Sequence, residues 1–340
     1  MAEERSEGDK GAGDTAALSG KVPNYKFKAP KAAFTSFITQ DGSSGYPAEA
    51  NRYHLYISYG CPWACRCLAV RNMKGLQDVI GVTVVKPAFE RTRPDLDEHI
   101  GWAFAKFENE EPGISPDPIN DAKFIRDLYE ISDPENSKKG RYSVPVLWDR
   151  KSNTIVNNES SEIMRMLNSE FNHLARNPDL NLYPVELQAS INEVNGWVYD
   201  DINIGVYKVG LSTTQEDYDR TVRTLYAGLD LAEGLLEKHR YLIGDTLTEA
   251  DIRLFMTLIR FDEACAINFK CNKRLIREYP NLFNYTKDLF QVPGVGETVD
   301  FYHIKKAYFH NFEKLNPYLI IPIGSTSWVD WSAPHNRDRF

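Results

Sequence analysis

No stretch of this 340-residue chain approaches about eighteen consecutive apolar residues, so no segment is expected to span a bilayer. The N-terminus, Met1 to Asp9, is acidic and has no apolar centre, so neither a secretory signal nor a transit peptide is expected. Cysteine is scarce: five residues, an odd number. That disfavours a disulfide framework and fits free thiols in a reducing compartment, the cytoplasm. No basic run accompanies an aromatic platform. Forty Lys plus Arg against 48 Asp plus Glu leaves a net charge of −8, which argues against a nucleic-acid partner. No internal repeat is present. What remains is ordinary globular material, 42% apolar and 26% charged, long enough for two domains.

One further absence is local. In Tyr59-Gly60-Cys61-Pro62-Trp63-Ala64-Cys65-Arg66, the position three after Cys61 is Ala64. A dithiol oxidoreductase would carry its resolving cysteine there. The alternating run Tyr53 to Ser58 before it reads as a strand, and Leu68, Ala69, Val70 and Met73 after it read as a helix stopped by Gly75. Pro62 suits the first helical position, where a missing N–H costs nothing. Cys61 is thus expected at a helix start, where free N–H groups and the dipole favour a thiolate and lower its pKa. The bland reading is an inert cysteine at a helix start. If Cys61 is a nucleophile, an outside thiol must resolve its mixed disulfide, and glutathione is the abundant candidate. Cys61, Cys65 and Cys67 lack the spacing of a structural zinc site, and no metal is expected.

Residues 1–22 are expected to be disordered and 23–50 to form an irregular arm. Strand 53–58, helix 62–74, strand 79–85, a long Pro-containing insertion at about 87–120, helix 121–131, strands 144–148 and 154–156 and helix 162–167 follow. That order predicts an α/β thioredoxin-like domain over 51–170, with Pro145 as its cis-proline. Residues 185–310 show helical patterns only, at 186–204, 215–239, 248–262, 273–291 and 297–309. Thr248-Glu249-Ala250-Asp251 resembles a capping box. Residues 311–340 read as a C-terminal extension. A thioredoxin-like domain followed by an all-α domain is the glutathione transferase plan.

The details resemble one class within it. Leu55 to Ala64, Gly101-Trp102-Ala103-Phe104, Val144 to Asp149, Ile155 to Ile163, Asn203 to Lys208, Ala250 to Phe255 and His303-Ile304-Lys305 together resemble the glutathionyl-hydroquinone reductases, the Xi class. The tail Ser332 to Phe340 looks most like plant members. The resemblance implies reductive removal of glutathione from a glutathionyl-hydroquinone, with Cys61 as nucleophile and glutathione as co-substrate. It also implies a homodimer. Trp102 would line the glutathione site, and Tyr207 and Tyr308 would face the hydroquinone, with Tyr302 a third and Trp63 a pocket wall. A phenol or a bound water would supply the proton that the leaving ring carbon needs. The backbone of Val144, before Pro145, would pair with the cysteinyl amide. Glu159 and Ser160, at a helix start, would hold the γ-glutamyl end, or else merely cap the helix. Arg141 would take the glycyl carboxylate. Two departures stand out. Cys65 replaces a frequent His or Ser, and Ala307-Tyr308-Phe309 replaces a commoner His-Tyr-Tyr. The alternatives are a broader thioltransferase or dehydroascorbate reductase, and a transferase-fold scaffold without catalysis.

Overall fold

The computed structural model describes residues 32–135, 142–324 and 329–340. The expected disorder of residues 1–22, and Arg141, lie outside the described residues. A four-stranded mixed sheet has the order β2-β1-β5-β6. Its strands are β1 (Tyr53–Ile57), β2 (Gly81–Val84), β5 (Val146–Asp149) and β6 (Thr154–Asn157). β1 runs parallel to β2, His54 facing Gly81, and antiparallel to β5, Leu55 facing Leu147. All of β1 is buried, as its central place requires. The edge at β6 does not stand open: Ser36 N–H donates to Val156 O, and Asn158 Oδ1 accepts from Ala33 and Phe34 N–H, so the arm runs along it.

The β1-to-β2 crossover is α1 (Pro62–Met73), buried on nearly every side. It is packed against β1, against α3 (Ser160–Ser169) and against α7 (Glu249–Arg260) of the helical half. Gly75 ends it in the left-handed region, φ +68°, a conformation glycine adopts without a Cβ clash. The insertion contains a hairpin absent from the sequence reading, β3 (Glu90–Arg91) paired with β4 (Ile100–Gly101). Two-residue strands carry no period to detect. The helix expected from 121 begins later, as α2 (Ile125–Ser132), because Asp127 Oδ2 accepts the N–H groups of Lys123 and Phe124 and fixes the start there.

Among the described residues the elements that follow are helical, the longer ones being α4 (Gln188–Trp197), α5 (Gly205–Gly210), α6 (Gln215–Lys238), α7, α8 (Pro280–Gln291) and α9 (Phe301–His310). A wide turn over Val198–Asn203 separates α4 from α5, which the sequence reading had not separated as a helix of its own. The pattern from 273 becomes a helix only at Pro280, the first helical position. Every residue of α7 is buried. Glu249 on α7 accepts from Arg165 of α3, Asn195 of α4 and Arg253, each at 2.9 Å, and so ties the two halves together. No helix among the described residues is long and apolar enough to cross a membrane.

The capping box at α7 is present. Asp251 Oδ2 accepts from Thr248 N–H and Oγ1–H at 2.8 and 3.0 Å, while Oδ1 accepts from Leu242 N–H and the Tyr285 hydroxyl. Asp251→Ala leaves these buried donors unpaired and is expected to cost about 3–5 kcal/mol. Urea denaturation measures this; a loss under about 1 kcal/mol contradicts it.

Candidate active site

Cys61 stands between β1 and α1, in extended conformation (φ −91°, ψ 113°) as the residue before the first turn, with Pro62 at the first helical position. Its N–H donates to Ser58 O at 3.0 Å, and its carbonyl accepts from Cys65 N–H at 3.0 Å. The backbone N–H groups of Trp63 and Ala64, in the first turn, favour the ionised form of its sulfur without making a capping hydrogen bond to it. Across the gap, Sγ lies 3.5 Å from the carbonyl of Val144, whose bond to Pro145 is cis. Gly60 is demanded by packing. A Cβ there would sit 2.4 Å from that of Ala307 on α9, so loop and helix approach too closely for any side chain.

A cleft of about 730 Å³ opens over this sulfur, between the two halves of the molecule. Trp63, Trp102, Val144, Pro145, Glu159, Ser160, Tyr207 and Tyr308 all line it together with Cys61. Glu159 precedes α3, and its Oε1 accepts from Ser161 N–H at 3.2 Å and Oγ–H at 3.0 Å. The capping role is therefore real, and it holds the carboxylate in the cleft wall. Trp102 leaves the β3–β4 hairpin with its ring edge-on to Phe89, centroids 4.5 Å apart, while its carbonyl accepts the N–H of Ile125. On the opposite wall the hydroxyls of Tyr207, from α5, and Tyr308, from α9, are 2.8 Å apart. Trp63 lies 5.4 Å from the Tyr207 ring, between it and the thiol loop.

Residues 60–170 match the glutathione S-transferase N-terminal domain family, and residues 215–288 the glutathione S-transferase C-terminal domain family. Glutathionyl-hydroquinone reductase YqjG of Escherichia coli is 44% identical over 94% of this chain and 94% of its own. Glutathionyl-hydroquinone reductase PcpF of Sphingobium chlorophenolicum is 40% identical over 83% of this chain and 85% of its own. The crystal structure of the glutathione S-transferase Xi from Phanerochaete chrysosporium superposes with a TM-score of 0.82 at 48% identity, covering 88% of this chain and 97% of that one. The chain belongs to the glutathionyl-hydroquinone reductases, the Xi class of glutathione transferases.

Two expectations for this Xi-class transferase need correction. Tyr302 lies outside the cleft. It is exposed and donates to Glu111 Oε2 at 3.0 Å. Six residues at about 100° each turn it well away from the Tyr308 face of α9. The second concerns the thiol. The helix-start N–H groups and the cations Arg260 and Arg66 do favour its ionised form, but burial outweighs them, and the Cys61 pKa is raised rather than lowered. The four other thiols are fully buried and raised too, Cys65 to about 11 and Cys265 to about 12. Burial also lifts both phenols of the pair well above the usual tyrosine value, so they stay protonated at neutral pH and can donate.

The cleft holds residues the sequence reading passed over, among them Arg66, Phe89, Asn195, Tyr199, Arg253 and Phe312. Arg66 and Arg253 had one legible signal, an arginine inside an otherwise apolar helix pattern. The others depend on the packing of separate helices. The raised thiol predicts that alkylation of Cys61 by iodoacetamide accelerates with pH and is still climbing at its ordinary value of 9.0. A rate that levels off below neutral pH contradicts this.

Proposed function

We propose that this protein is a glutathione-dependent reductase that removes glutathione from glutathionyl-hydroquinones. The observation that carries the reading is one half-buried thiol at a helix start, in a cleft facing two hydrogen-bonded phenols, with alanine where a resolving cysteine would sit. The names of the relatives YqjG and PcpF support the substrate class, and a glutathione-bound structure of YqjG, 45% identical with a TM-score of 0.84 over 91% of this chain and 97% of that one, supports the co-substrate.

In this reading the Cys61 thiolate attacks the sulfur of the glutathionyl group. The sulfur–aryl bond breaks, its electron pair passes to the ring carbon, and a proton completes the hydroquinone. Cys61 is left as a mixed disulfide with glutathione. A second glutathione thiolate attacks that disulfide, releasing oxidised glutathione and the Cys61 thiolate. Glutathione lies along the α/β wall, its cysteinyl amide pairing with the Val144 backbone and its γ-glutamyl end at Glu159 and Ser160, beside Trp102. Arg141 is assigned to the glycyl carboxylate from the sequence alone. The aromatic ring lies between Trp63 and the tyrosines. Tyr207 and Tyr308 are the general acid: a phenol that burial keeps protonated gives its proton to the ring carbon, and its neighbour, 2.8 Å away, stabilises the charge left behind. We also infer a homodimer working in the cytoplasm. The family resemblance supports the first and five unpaired thiols the second.

Cys61→Ala is expected to abolish turnover of a glutathionyl-hydroquinone while glutathione still binds by calorimetry. A single-turnover reaction of the unaltered protein should leave a glutathione adduct on Cys61 by mass spectrometry. Full activity in the variant removes the mechanism. Tyr207→Phe and Tyr308→Phe should each lower turnover of aromatic substrates by about 10²-fold or more and spare a small glutathionyl disulfide, which needs no proton on carbon. Equal losses on both would favour the broader thioltransferase.

A further inference from the structure

Arg260, the last residue of α7, is fully buried. Its Nη1 donates to Met256 O at 2.8 Å, an ordinary use of a cation at a helix C-terminus. Nη2 does something else. It leaves its own helix and crosses to the α/β half, donating to the carbonyl of Tyr59 at 2.9 Å and to Cys65 Sγ at 3.1 Å. Tyr59 is two residues before Cys61, and Cys65 is one helical turn after it. Nε has no partner, and among the described residues no carboxylate lies within ion-pair distance of the guanidinium. The neighbouring Arg253, seven residues earlier on the same helix, is neutralised by Glu249. An uncompensated buried charge is costly, and capping α7 explains only one of its contacts.

We propose that Arg260 is a positioning residue for the nucleophilic step: it pins the Tyr59-Gly60-Cys61 loop to the helical half and supplies the unneutralised positive charge that favours the Cys61 thiolate. The proposal rests on Cys61 being the nucleophile. The charged and titratable groups around that sulfur are few. Arg66, Cys65 and Cys67 lie on its own helix, Arg260 comes from α7 and Tyr207 from α5, while the Glu159 carboxylate before α3 and the Tyr308 phenol on α9 line the same cleft. Of these, only the two arginines favour the anion, and Arg260 is the larger influence. The same guanidinium favours ionisation of Cys65, Cys265, Tyr207 and Tyr308, so its field covers the whole reacting end of the cleft. The proton leaving Cys61 goes to water.

The test is iodoacetamide alkylation of Cys61, in which the thiolate displaces iodide, followed by mass spectrometry across about pH 6 to 10 in the unaltered protein, Arg260→Gln and Arg260→Lys. Arg260→Gln should move the profile to higher pH by about one unit, so that alkylation below both midpoints is about tenfold slower. Arg260→Lys, which keeps the charge, should stay within about a third of a unit. A Gln profile that overlies the unaltered one overturns the proposal. If Arg260→Gln does not fold, the Lys variant decides: a retained profile supports the role of the charge, and a shift of about a unit despite that charge overturns it. Turnover of a glutathionyl-hydroquinone by the unaltered protein is measured separately, so failure of the reaction itself is distinguishable from failure of this assignment.

Discussion

The Cys61 sulfur sits where two physical demands collide. The chemistry proposed for it needs an anion, and the N–H groups of Trp63 and Ala64 with the cations Arg260 and Arg66 offer one a favourable field. The packing around it takes the sulfur out of water, which favours the neutral thiol. Burial has the upper hand. In the proposed reaction, attack would draw on the thiolate form that burial disfavours, so the nearby donors and cations that favour it bear on the rate.

The same collision explains why the active site lies between two halves. The α/β half supplies the thiol, the helix end and a backbone edge at Val144 in the cleft wall, but no aromatic wall with hydroxyls. The helical half supplies Tyr207, Tyr308 and Arg260, but no nucleophile. The contact between them is tight at two points: the missing side chain of Gly60 against Ala307, and Arg260 reaching the Tyr59 carbonyl. Tyr308, the next residue of α9 after Ala307, reaches hydrogen-bond distance of Tyr207.

The insertion completes the cleft from the side. Asn311 just beyond α9 accepts the N–H of Phe89 at 2.8 Å and donates to Pro87 O at 2.9 Å. His303 reaches Pro112 O at 2.7 Å, and Lys306 pairs with Glu111. These bonds hold the hairpin that carries Trp102 against α9, so the wall assigned to glutathione and the wall assigned to the aromatic ring are braced on one another. Tyr302 serves this bracing, through Glu111, and not the cleft.

Local chemistry was readable along the chain: a strand handing over to Cys-Pro and a helix, a missing second cysteine, a proline at the mouth of a strand, a capping box with aspartate. Each depends on neighbours within a few residues, so α/β followed by all-α emerges from the sequence alone, and Cys61 with it. The starts of α2 and α8 shifted because a capping carboxylate and a proline set them more sharply than the apolar pattern does. The net direction of the thiol's pKa, the pairing of Tyr207 with Tyr308 across a hundred residues, the exile of Tyr302 and the reach of Arg260 into the thiol loop were not readable. Helix register can turn Tyr302 and Tyr308 apart, but only the packing of α5, α7 and α9 onto α1 and its loop decides which side chains meet and how much water the sulfur loses.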